Sequence, residues 1–183
     1  MPANWETFKA GVAGFLDSKG AQSENDTAKQ IAIYYVNAVA TAGVIQSGAL
    51  INPVQQSVIE SGFASSFAIA KTLQQGKTSP GTWNTVANAI ITAISTTTIQ
   101  PMPPVAPTIA PTSGYTITNP GNPSQLATGI NTAFTVGNSQ ACANLLATTF
   151  QTHLSTVSGI YNGLIPSPSG PVPSPPIPWV GIS

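Results

Sequence analysis

Cys142 and His153 are the one cysteine and the one histidine of this chain, so any nucleophile–base pair would have to be built from them. Such a pair needs thiol and imidazole within hydrogen-bond reach. The two residues lie eleven positions apart, and on one helix that is about 16 Å along the axis. The flanks of Cys142, with Ala141, Ala143, Leu145 and Leu146, read as the apolar side of a helix. There a free thiol packs as a small hydrophobe, and a lone cysteine forms no internal disulfide.

The carboxylates offer no better constellation. They are Glu6, Asp17, Glu24, Asp26 and Glu60. Glu24 and Asp26 sit where a helix begins, a place where acids complement the helix dipole. A carboxylate pair for glycoside chemistry would have to converge from distant segments. No Cys, His or Asp grouping has metal-ligand spacing, and no glycine loop has the form of a phosphate cradle. The expectation is no catalytic residue, no metal, no cofactor and no small-molecule substrate, hence not an enzyme.

Charge is the next constraint. All lysines and all acidic residues fall within positions 1–77, there is no arginine, and the chain is 5% charged with a net charge of zero. Soluble domains are ordinarily about a quarter charged. Without a basic cluster, nucleic acid is not an expected partner. A neutral surface favours association over colloidal repulsion, and 42% hydrophobic residues supply a core despite 17 prolines and 16 glycines. The opening Met1-Pro2-Ala3-Asn4-Trp5-Glu6 lacks the positive region of a secretory signal. Ile31 to Ile51 is uncharged, yet Asn37, Thr41, Gln46 and Ser47 interrupt it. A packed helix followed by a loop is favoured there over a membrane span.

The elements that must carry these residues read as helical. Trp5, Phe8, Val12, Phe15 and Leu16 mark one face, stopped toward Gly20. Ser23 with Asp26 forms a capping box for a second helix, whose stripe is Ala28, Ile31, Ala32, Tyr35 and Val39. Asn52-Pro53-Val54-Gln55 reads as cap, first-turn proline and N3 glutamine of a third helix, ended by Gly76. Gly62, inside it, marks a place where another helix comes close. Ser79-Pro80 opens a fourth helix with Trp83, Val86, Ile90 and Ile94, and Asn122-Pro123-Ser124-Gln125 a fifth. Ser139 caps a sixth that carries Cys142, Phe150, His153, Val157 and Ile160. The spacing therefore predicts an all-α bundle of about six helices, over 5–17, 24–42, 53–75, 80–96, 123–136 and 140–162. The two Asn-Pro-x-Gln signals, seventy residues apart, raise the possibility of two three-helix halves, although independent use of common capping chemistry reads more simply.

Two stretches stand outside that pattern. Residues 101–122, with prolines at 101, 103, 104, 107, 111 and 120, form an extended linker between a 1–100 half and a 123–165 half. Tyr115 to Thr118 could add a short strand within it. Pro166 to Ser183 forms a C-terminal arm with seven prolines and no charged side chain, about 55 Å long if fully extended. Its tip, Ile177, Pro178, Trp179, Val180 and Ile182, is the candidate interaction segment, since Trp is a favoured interface anchor. It can dock on a neighbouring subunit, leaving the helical body intact when removed, or fold back over its own bundle.

In overall style the chain resembles small virion structural proteins of tailed bacteriophages, the cyanophage-like myoviruses in particular. The features shared are the Trp5-Glu6-Thr7-Phe8 helix, the Asp26-Thr27-Ala28 helix, the Thr/Ala/Ile-rich middle and the Pro-rich ending with Pro178-Trp179-Val180. The resemblance implies a multi-copy structural subunit, in capsid decoration or in neck, tail or baseplate. It would be assembled in the host cytoplasm without a signal peptide and packed against other virion proteins or copies of itself. It transfers no functional residue. The alternative is a cell-surface or membrane-associated interaction protein.

Overall fold

The 3.6-residue spacing of apolar side chains winds into six α-helices: α1 Trp5–Asp17, α2 Glu24–Val39, α3 Gln56–Thr72, α4 Asn84–Ser95, α5 Pro123–Thr135 and α6 Ser139–Thr156. They are seen in a computed structural model describing residues 3–18, 23–45, 47–73, 77–100 and 107–183. Each helix packs on the next in sequence, and α6 returns to pack on α1, so the six close into a ring. The buried apolar residues of the described chain form one continuous cluster. Gly20, Gly76 and Pro101 to Ala106 lie outside the described residues.

Aromatic side chains weld the ring at two places. Trp5, Phe8 and Tyr35 gather on Phe150 of α6, the Tyr35–Phe150 centroids standing 4.9 Å apart at 80°. Across the ring, Trp83 stacks on Phe134 at 4.6 Å while Phe67 meets both edge-on. Such pairs contribute about 0.5–1.5 kcal/mol each beyond the area they bury. Polar ties are few and specific. Trp83 Nε1 donates to Asn131 Oδ1 at 3.1 Å. The fully buried Ser66 of α3 accepts from the Val86 amide at 3.3 Å, serving the first turn of α4 from outside its own segment.

Local capping chemistry is realised at some sites and overruled at others. Ser23 and Asp26 form the reciprocal box at the start of α2. Asn122 caps α5 through the amides of Ser124 and Gln125. Asn138, not Ser139, caps α6 by accepting from Ala141 at 2.9 Å. Asn52 caps nothing. Its backbone amide donates to the Thr98 carbonyl at 2.7 Å, and its side chain binds Thr98 and Gln100, so α3 begins only at Gln56. The fourth segment opens as a 3-10 turn, Pro80–Trp83, before α4.

The all-α expectation is overturned. Besides the helices there is a four-stranded antiparallel sheet: β1 Ala110–Asn119, β2 Ser158–Ile165, β3 Val172–Pro173 and β4 Ile177–Val180. Strand β2 is central. It pairs with β1 along one side, and with β4 and then β3 along the other. The sixth helix ends at Thr156 and not at 162, because Val157 is extended (φ −62, ψ 135). From there burial alternates, with Gly159, Tyr161 and Gly163 facing in, the period of a strand. Gly159 is obligatory in this sheet: a Cβ there would collide with the Thr116 carbonyl and the Trp179 ring. The segment Ile31 to Ile51 leaves the helix after Val39, and no helix among the described residues is long and apolar enough to cross a membrane.

Gly62 is where α4 approaches α3, since a Cβ placed on it would stand 2.5 Å from the Ala89 Cβ and 3.0 Å from the Val86 Cα. Gly14, exposed in α1, has nothing within 4 Å of the corresponding position. Helix propensity favours Ala at both by about 1 kcal/mol, while overpacking costs about 1–3 kcal/mol. Thermal unfolding should separate the two. Gly14→Ala should raise the midpoint by a few degrees and Gly62→Ala should lower it, at about 2–4 °C per kcal/mol for a chain of this size.

Candidate interaction surface

Most of the residues able to do chemistry are individually occupied or enclosed, while Asp17 at the end of α1 is exposed and Glu60 of α3 is half-buried, on separate elements. Cys142 is buried, and desolvation pushes its thiol up to about 11. His153, on the same helix, points its Nε2 at the Pro120 carbonyl 2.8 Å away; burial lowers its pKa and the Pro120 hydrogen bond opposes that shift. Glu24 pairs with Lys71 at 2.7 Å on the surface between α2 and α3, and the Lys71 hydrogen bond holds its carboxyl below the usual range. Asp26 is engaged in the capping box. Glu6 pairs with Lys9 at 2.6 Å. Among the described residues no three His, Cys, Asp or Glu side chains gather as a metal site.

Charge is confined to one sector. Every described charged side chain belongs to α1, α2, α3 or the segment running from α3 to Pro80, and α4, α5, α6 and the sheet carry none. The uncharged sector is rich in threonine, and several hydroxyls are turned back onto the helix. Thr128 donates to the Ser124 carbonyl at 2.9 Å, Thr132 to Thr128 at 3.0 Å, Thr148 to Asn144 at 3.0 Å and Thr156 to His153 at 2.7 Å. A β-branched residue bonded this way offers its methyl group outward. Between α5 and α6, Thr132, Thr148, Thr152 and Thr156, with Leu126, Leu145 and the edge of His153, line an open groove floored near Gly129, whose missing side chain lets Thr149 approach. The groove is thus a shallow, neutral, methyl-lined surface. Sequence periodicity did not single it out; the signal available was the i, i+4 recurrence of threonine at 128 and 132 and at 148, 152 and 156.

The C-terminal tip is placed on its own chain, the fold-back arrangement. Trp179 and Ile182 are buried, Ile177 is half-buried, and Pro178 and Val180 face outward. Trp179 lies opposite Gly159 on β2 and meets Tyr115 edge-on at 6.3 Å, and Tyr115 in turn packs on Tyr161 at 4.8 Å. Gly181 donates to the Val157 carbonyl at 2.7 Å and Ile182 to Leu154 at 2.9 Å, so the tip supplies partners to the last carbonyls of α6. Outward-facing Val180 adjoins exposed Ile45, whose amide donates to Gly181 at 3.0 Å. What the tip presents to solvent is therefore a small apolar corner and a proline-studded loop, with all seven prolines from Pro166 to Pro178 exposed.

No protein-family model matches the chain, and neither a curated protein nor a solved structure does.

Two outcomes follow from this geometry. Trp179→Ala should destabilise the isolated protein by about 3–5 kcal/mol, the usual cost of emptying a buried indole site, read as a lowered denaturant midpoint. Cys142 should react with iodoacetamide at mildly alkaline pH only on unfolding, because burial and a thiol near 11 suppress the thiolate. Rapid alkylation of the native protein would contradict the burial.

Proposed function

We propose that this protein is a non-enzymatic structural subunit of a tailed-bacteriophage virion, packed against neighbouring subunits through uncharged faces. The observation that carries the reading is the separation of charge: a sector built of α4, α5, α6 and the sheet without one charged side chain. Such a surface gains nothing from steering and pays little desolvation when covered. In a large permanent assembly it is an asset, and on a freely diffusing enzyme it promotes precipitation. The inward-turned threonine hydroxyls support the same reading, since their hydrogen bonds are already made within the helix. The exposed proline loop adds a pre-ordered surface that loses little entropy on docking.

Quantitative mass spectrometry of purified particles from the encoding phage tests this directly. The protein should be present at a fixed multiple of the other structural components. Recovery from infected cells but not from purified particles would overturn the proposal. The isolated protein should self-associate on light scattering to the same mass in low and high salt, because few charges are available to screen. A monomer at high concentration in both conditions counts against it.

A further inference from the structure

The imidazole of His153 sits where three elements meet. It stands in the last turn of α6, 5% exposed, and its Nε2 reaches the Pro120 carbonyl at 2.8 Å. Pro120 ends the path from β1, and two residues later Asn122 caps α5. Gly121, between them, has φ +99, and any Cβ on it would overlap the His153 ring. The turn is thus moulded onto the imidazole, for which glycine is required twice over, by its backbone angle and by contact. Because a carbonyl only accepts, the neutral ring must carry its proton on Nε2. That leaves Nδ1 as a bare nitrogen, buried and without a hydrogen-bond partner among the described residues.

We infer that His153 is an acid-sensitive latch that fastens the turn between β1 and α5 to the end of α6 and releases it when the ring takes up a second proton. Protonation would put an N–H on Nδ1, where no acceptor waits, and a full charge in an enclosed site. No acidic side chain stands on the turn, α5, α6, β1 or β2. The turn and α5 hold no titratable side chain; β1 and β2 bring only the phenols Tyr115 and Tyr161, and α6 itself only Cys142, three turns away. On α1, which also packs on α6, Glu6 and Lys9 neutralise each other, and Asp17 lies at its far end. The carbonyl end of α6 favours a cation modestly, a contribution smaller than the burial it opposes.

The sign is fixed by where the proton is welcome. The ring is easier to protonate once the turn has opened, so closure is complete above the ordinary histidine value of 6.5 and weakens as pH falls below it.

As the only histidine, His153 gives a single imidazole signal in proton NMR. Its midpoint should lie below 6.5. Hydrogen-exchange protection of the first α5 amides, Leu126 to Thr128, should fall by up to about tenfold per pH unit between 6.5 and that midpoint and level off below it, through an opening that leaves α4 closed. In His153→Gln, whose amide can still donate to Pro120 but cannot titrate, protection should become flat with pH. An unshifted midpoint, α5 amides that open locally with no pH dependence, or α5 amides that exchange only together with those of α4 would each overturn the latch. The midpoint and the wild-type exchange are readable even if the variant does not fold.

Discussion

The fold turns on the peptide unit at Val157, where the chain passes from helix to strand without a loop. Residues before it close the helical ring by packing α6 on α1, and residues after it form the central strand of the sheet. Val157 is fully buried, and its carbonyl is bonded to Gly181. Ring and sheet therefore share one continuous segment, 139–165, and are tied a second time where Gly181 and Ile182 bond to the carbonyls of Val157 and Leu154. The aromatic groups follow the same line: Phe150 gathers one cluster, and Tyr161, eleven residues on, gathers another.

With so little charge, polar specificity rests on short uncharged side chains. Ser66 completes α4 from α3, Asn131 holds the Trp83 indole, and Asn52 joins residues 50–52 to 98–100. Each fixes the position of one element against another, a role that ion pairs fill in more ordinary proteins. The two described ion pairs, Glu6–Lys9 and Glu24–Lys71, are largely exposed, where such pairs contribute little. Removing charge from half the chain therefore cost the fold little, while it changed the surface entirely.

The helices were legible because their signals are local. The capping box at Ser23, the Asn122 cap and the close approach at Gly62 all depend on residues within a turn or on a missing side chain, and all are present in the structure. The sheet was illegible for the opposite reason. Strand β2 follows a helix whose i, i+3 spacing runs on through Val157 and Ile160, which hides the alternation of Gly159, Tyr161 and Gly163. Its partners lie some forty residues upstream and across a proline-rich loop, so no window of sequence contains the pairing. Asn52 was misread likewise: its form is that of a cap, and a distant strand-like contact claimed it. At the candidate surface, the lack of charge was visible at once. The inward turn of the threonine hydroxyls and the seat of His153 needed the fold.

Gly43 and Ser183 exchange both backbone hydrogen bonds at 3.0 Å, and Val44 pairs with Ile182. This joins the loop after the second helix to a segment some 140 residues further along the chain. Contacts spanning so much sequence form late, because the intervening segment must first be ordered. During synthesis the loop at 43–45 has to wait for its partner until residues 181–183 have been made. Until then its backbone groups, and the Leu154 and Val157 carbonyls at the end of α6, have no such partner.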